Sequence, residues 1–178
     1  MKITQLRNAT LIVHTGDRHI LVDTMLAPQG ALPPLRLLDD KRLRNPTVDL
    51  PVQAEVALDR VTHCLITHCQ KGHFDDLDGI GKQWLRDRQI PVICTPHDAA
   101  YLRKRGLNVQ PLPDCHDQPQ PFFEGRIRTV RCTHGEGVIS HCPVTRNELL
   151  AAGRRAGVSQ RLVVPADGQT MELQRRPL

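Results

Sequence analysis

The segment Thr67-His68-Cys69-Gln70-Lys71-Gly72-His73-Phe74-Asp75-Asp76 constrains this chain more than any other. It follows the apolar run Val61–Ile66, so the sequence predicts a buried central strand that ends where a polar loop begins. His68, Cys69, His73, Asp75 and Asp76 place imidazole, thiolate and carboxylate donors close together at that end. Those are the donor types that zinc-like ions take. The plain alternative is structural: His68 caps the strand end through a ring N–H, and Asp75 and Asp76 cap the helix that follows.

A buried strand needs a sheet, and the flanking sequence supplies one. Thr10–His14 and His19–Asp23 read as two strands joined by the turn Thr15-Gly16-Asp17-Arg18, with glycine providing the positive φ. Pro28, Gly30, Pro33 and Pro34 exclude regular structure after them, and residues 35–57 read as a long polar surface loop. Further strands are expected at Ile90–Cys94, Asn108–Leu112, Gly125–Cys132, Arg161–Pro165 and Thr170–Leu173. Pro113 to Pro121 reads as a loop. One helix is expected around Ile80, Trp84 and Leu85, after the acidic run Asp75–Asp78. A second is opened by Pro96 and stopped by Gly106. A third starts with the capping box Thr145/Glu148 and stops at Gly157. Strands alternating with helices imply α/β layering.

The 178 residues suit one domain, and with aromatics at 3% its core must rest on Leu, Val, Ile and Ala. The net charge of +5 is scattered, with no basic stripe interleaved with aromatics, which argues against nucleic acid as a partner. No apolar run reaches the length of about 18 residues that a membrane span needs. The N-terminus lacks a signal-peptide core, so the expected location is cytoplasmic. The six cysteines then read as free thiols. Cys64 and Cys94 lie inside apolar runs and read as buried, and without a C-x-x-C pair a zinc ribbon has no support.

Two more constellations carry suitable chemistry. His134 follows a predicted strand and is flanked by Gly135 and Gly137, which let a backbone approach a ligand closely. Parallel strand ends converge on one rim, so His134 can join His68 and His73 there. His141-Cys142 precedes the capping box. His14, His19, His63 and His97 read as structural, and Cys115-His116 as surface. There is no G-x-S-x-G motif and no phosphate loop. Cys69 and His68 are adjacent on an extended chain and point apart, which weakens a thiol–imidazole pair.

Four segments together resemble a known family. They are Asn8–Asp23, Leu65–Asp76, Thr133-His134-Gly135-Glu136-Gly137, and His141 through Gly168. In this order they are similar to the metallo-β-lactamase fold superfamily, in particular to small bacterial metal-dependent hydrolases related to L-ascorbate-6-phosphate lactonase-like proteins. The resemblance implies an αββα sandwich with a dinuclear metal site at one sheet edge. By the family's H-x-H-x-D-H motif, His68 matches a ligand of the first metal and His73 a ligand of the second; by its T-H-G-x-G, His134 matches another ligand of the first. Gln70 stands in place of a first-metal histidine and Gly72 in place of a second-metal aspartate. Between Gly137 and Val138 the chain lacks a family segment that carries two strands, a bridging aspartate and the last histidine.

The resemblance therefore implies a single domain over 1–178 with an incomplete sandwich. It implies at most one ion, zinc or manganese, held by His68, His73 and His134 with help from Cys69, Gln70, Asp75 or His141. The matching function is metal-assisted hydrolysis of a small molecule, with activity weak or lost. The alternative is a non-catalytic remnant acting as an interaction module, as a homodimer through an exposed sheet edge. A thiol-based role for Cys69 and Cys142 is a third reading.

Overall fold

The computed structural model describes residues 1–7, 10–34, 44–69, 76–113, 118–128 and 146–173. Their centre is a seven-stranded mixed sheet built from β1 (Lys2–Arg7), β2 (Thr10–Thr15), β3 (Arg18–Val22), β4 (His63–Leu65), β5 (Pro91–Cys94), β6 (Asn108–Pro111) and β9 (Thr170–Glu172). The spatial order is β6-β5-β4-β3-β2-β1-β9. The strands from β3 to β6 run parallel, and those from β3 back through β2 and β1 to β9 run antiparallel. The hairpin expected around Gly16 forms, with Thr15 opposite Arg18 and Gly16 at φ +56°.

Four helices accompany the sheet among the described residues: α1 (Ala54–Leu58), α2 (Gly79–Asp87), α3 (Pro96–Arg103) and α4 (Arg146–Arg155). Period-two alternation sends Leu6, Ile12, Leu21, Cys64 and Val92 to one sheet face. There they form one core with Ala54 and Leu58 of α1, Leu85 of α2, and Ala99 and Leu102 of α3. On the other face a two-stranded ribbon of β7 (Gln120–Phe122) and β8 (Gly125–Ile127) touches the sheet through Phe123. The Phe123 ring lies 4.7 Å from that of His63 and 4.3 Å from the Arg18 guanidinium carbon. The chain is thus the mixed α/β fold that the sequence implied.

Several details differ from expectation. The loop over 35–57 ends in α1, because Ala54 and Leu58, four apart, both bury. Arg161–Pro165 is not a strand; a 3-10 turn at Ser159–Arg161 leads into irregular backbone. The predicted loop ending at Pro121 already contains β7, and β8 pairs with β7 rather than joining the main sheet. Asp75 lies outside the described residues, and Asp76 does not cap α2. Asp78 does, its carboxylate accepting from Gly81 N at 2.6 Å and from Ala27 N at 2.6 Å. Gly81 is needed for this seat, since a Cβ there would collide with the Thr24 carbonyl. No described helix is long and apolar enough to cross a membrane.

Candidate metal centre

The parallel strands β3 and β4 end side by side, and the chain leaving each is pinned to the other. Asp23 N donates to Leu65 O at 2.9 Å, and Asp23 itself adopts φ +49°. Asp tolerates this left-handed region better than most residues, but the conformation is uncommon and persists where the surroundings enforce it. Here it turns the Asp23 carboxylate under the β4 exit. That carboxylate accepts from Thr67 N at 2.9 Å and from Thr67 Oγ1 at 2.8 and 3.1 Å, with Asp23 only 3% exposed.

A third segment joins these two. Thr24 N donates to Asp76 O at 2.6 Å, Asp78 N donates to Thr24 O at 3.3 Å, and Thr24 and Leu77 form a parallel bridge. This carries the buried Asp76 to the end of β3. Its Oδ2 then lies 3.1 Å from His68 Nε2.

Beneath this end lies Arg7, the largest fully buried side chain. Its Nη2 donates to Met25 O at 2.7 Å and also to Ala27 O, and its Nη1 to Val48 O at 3.0 Å. Burial pulls the Arg7 pKa down, while Asp78, Asp49 and Asp167 oppose that shift. The 25–27 turn, the α2 cap and the β1 end are thereby one hydrogen-bonded unit.

The hydrogen bonds fix what His68 offers. The one hydroxyl proton of Thr67 goes to Asp23, so Thr67 Oγ1 accepts from His68 Nδ1 at 3.1 Å. A neutral His68 then carries its lone pair on Nε2, facing the Asp76 carboxylate. Two electron-rich atoms at that distance need positive charge between them, either a proton on Nε2 or a cation. An imidazole nitrogen beside a carboxylate oxygen suits zinc or manganese. An imidazole whose other nitrogen donates to a fixed oxygen is also the usual state of a metal-ligating histidine. The pair therefore fits an ion as far as it goes. Among the described residues, no group of three or more His, Cys, Asp and Glu side chains converges for one.

The other expected site residues fall in two groups. His73, His134, Gln70, Asp75 and His141 lie outside the described residues, as do Gly72, Cys142 and the 137–138 junction. Cys69 is described and is buried in the core with the α3 residues. Burial, then Asp98 close by, to which its thiol donates, push its pKa up to about 12. A thiol so protonated is a poor nucleophile. Cys64 and Cys94 are likewise buried, with burial raising them to about 12 and about 11. Sequence reading counted Asp76 among the donors near His68 but left it out of the ligand set, and it passed over Asp23 and Thr67 as supports of that histidine. The available signal was an aspartate ending one strand and a threonine preceding the histidine that ends the next. A cavity of about 410 Å³ lies between α1 and α2, lined by Leu26, Leu58, Ile80 and Trp84 among others; of the described donors, neither His68, Cys69 nor Asp76 lines it.

No protein-family model matches the chain. The UPF0173 protein YddR of Bacillus subtilis (strain 168) is 39% identical over 139 residues, which are 77% of this chain and 52% of that protein. The chain spans about half the length of this curated relative. Two solved structures are similar. One is an isothiocyanate hydrolase from Delia radicum gut bacteria, with a TM-score of 0.75 at 22% identity, covering 97% of this chain and 99% of that one. The other is described as a possible metal-dependent hydrolase from Veillonella parvula DSM 2008, with a TM-score of 0.57 at 24% identity, covering 68% of this chain and 44% of that one. At these identities the agreement is one of fold, and the fold of this chain is that of these hydrolase structures.

Proposed function

We propose that this chain is a metal-dependent hydrolase-like protein whose centre lies at the ends of β3 and β4. His68 Nε2 and Asp76 Oδ2 would be two of the ligands. By the family resemblance, His73 and His134 would complete the set, and the ion would be a single zinc or manganese. Bound there, such an ion polarises a substrate carbonyl or related oxygen and acidifies a water. The chain's own residues supply the rest. Asp23 holds Thr67, Thr67 holds the His68 ring with Nε2 outward, and Asp76 balances the charge. The observation that carries this reading is the 3.1 Å approach of His68 Nε2 to Asp76 Oδ2, with His68 Nδ1 already committed to Thr67.

The substrate would be a small electrophile, and isothiocyanates are the first to try because a similar fold is described as hydrolysing them. The test is metal analysis of purified protein after dialysis, with and without His68→Ala and Asp76→Asn. The expected result is near one zinc or manganese per chain, lost in both variants. Equal metal in all three proteins, or none together with no thermal stabilisation by added metal, would sink the reading. A second reading, an interaction module without catalysis, draws on the outer strand β6, where Asn108, Gln110 and Pro111 are exposed. It expects concentration-dependent dimers in sedimentation and no metal.

A further inference from the structure

The sheet carries a histidine pair at its opposite end, about 13 Å along β3 from Asp23 by strand rise. His14 on β2 and His19 on β3 are directly opposed in the ladder. Their Nδ1 atoms lie 2.9 Å apart, with the rings nearly perpendicular at 86°. One nitrogen of the pair must now donate and the other accept.

We propose that His14 and His19 form a separate cation site, a cross-strand bis-imidazole that takes copper(II) or nickel(II). The spacing held by that hydrogen bond already suits one ion class. With metal–nitrogen bonds of about 2.0 Å, two nitrogens 2.9 Å apart subtend about 90°, whereas a tetrahedral zinc needs them about 3.3 Å apart. A right angle is the cis angle of tetragonal and square-planar sites, which copper(II) and nickel(II) adopt.

The surroundings orient the ligands as a metal site requires. His14 Nε2 lies 2.8 Å from Thr4 Oγ1, which lies 2.6 Å from Thr170 Oγ1. If His14 donates from Nε2 to Thr4, and Thr4 to Thr170, then the His14 lone pair sits on Nδ1, facing His19. Thr4 is buried, so this support is held in place by the core. On binding, His19 shifts its Nδ1 proton to Nε2, so neither imidazole changes charge. Both rings line an open cavity of about 380 Å³ together with Lys2, Gly16, Thr170 and Glu172, which leaves room for water in the remaining coordination positions. The Lys2 ammonium opposes a cation, but Glu172 sits directly across from Lys2 in the β1–β9 ladder and offsets it. None of these residues belongs to the centre at His68.

The experiment uses the full chain carrying His68→Ala, stripped of metal and titrated with copper(II) chloride, followed by electron paramagnetic resonance. The expected result is one copper per chain with hyperfine coupling to two imidazole nitrogens. His19→Gln should abolish the two-nitrogen signal. Thr4→Val, which keeps both imidazoles, should weaken binding by about tenfold or more. Circular dichroism checks that each variant folds; if His19→Gln does not, Thr4→Val decides alone. A two-nitrogen signal that survives His19→Gln, affinity unchanged by Thr4→Val, or copper bound only at millimolar concentration would overturn the proposal.

Discussion

At the end of the sheet where β1, β3 and β4 finish, Arg7, Thr10, Asp23, Thr24, Asp76 and Asp78 are all buried. At the other end, Lys2 and Glu172 are exposed, and His14, Arg18, His19 and His63 are only partly buried. Both ends present a histidine held by a threonine hydroxyl. Thr67 is anchored by a buried carboxylate on a residue with positive φ, whereas Thr4 is anchored by a second neutral hydroxyl. Buried charge and an unfavourable backbone are costly, and they persist where a network over-determines them. The first end is therefore built for fixed geometry, while the second uses a regular ladder and tolerates change.

The sharpest way to break this contrast is to remove one arginine from each end. Arg7→Ala strands the carbonyls of Met25, Ala27 and Val48 and leaves Asp78 without its nearby buried cation. Loss of one buried charge partner of this kind costs about 3–5 kcal/mol. Arg18 makes a 3.5 Å ion pair with the half-exposed Glu124 and lies over the Phe123 ring, and its replacement by alanine should cost about 1–2 kcal/mol. Urea denaturation of the two variants measures both. Similar midpoints would remove the distinction between the ends.

Next in size is the pair of threonine anchors. Asp23→Ala deprives Thr67 N and Oγ1 of a charged acceptor, a loss of about 2–3 kcal/mol. It also frees the His68 ring, so metal affinity at that centre should fall about 10- to 100-fold. Thr170→Val removes one neutral bond from Thr4 and should cost about 1 kcal/mol. Calorimetry with and without added zinc separates the stability effect from the metal effect. If Asp23→Ala lowers stability but leaves zinc affinity intact, then Asp23 supports the fold and not the centre.

How far the sequence foretold this depends on how local each cause is. The hairpin at Gly16, the strand before His68 and the helix stop at Gly106 were legible because each depends on neighbours in the chain. Arg7 was not legible. At the end of a strand it reads as surface, and it is buried only because residues 25–27 and 48 fold over it and offer carbonyls. Asp76 was left between two readings, a donor near His68 and a helix cap, since an acidic run before a helix usually caps it. The Thr24–Leu77 bridge, formed across more than fifty positions, moves the cap to Asp78 and leaves Asp76 beside His68. The expected strand at Arg161–Pro165 failed for the converse reason. Its composition is strand-like, but β1 takes β9 as its neighbour and the segment pairs with none of the described strands.

The smallest expected effect concerns pH and falls on the tolerant end. His63 begins β4, with its ring against Phe123 and the Arg18 guanidinium nearby, itself paired with Glu124. Burial, and secondarily Arg18, hold the His63 pKa below the usual imidazole value of 6.5. The unfolded chain therefore takes up a proton at His63 before the folded chain does. Stability from this group is complete above pH 6.5 and declines as the pH falls toward the lowered folded value. Below that value both states are protonated and the decline ends. Metal-free protein melted between pH 7.5 and 5 should lose stability in that window, and His63→Gln should lessen the slope without altering the melting point at pH 7.5 by more than a few degrees. An unchanged slope in His63→Gln would move the acid sensitivity away from the contact between β4 and the β7–β8 ribbon. A steeper slope would mean that protonated His63 gains more from Glu124 than it loses to burial and Arg18. The far end would then be tuned by charge, as the end at His68 is.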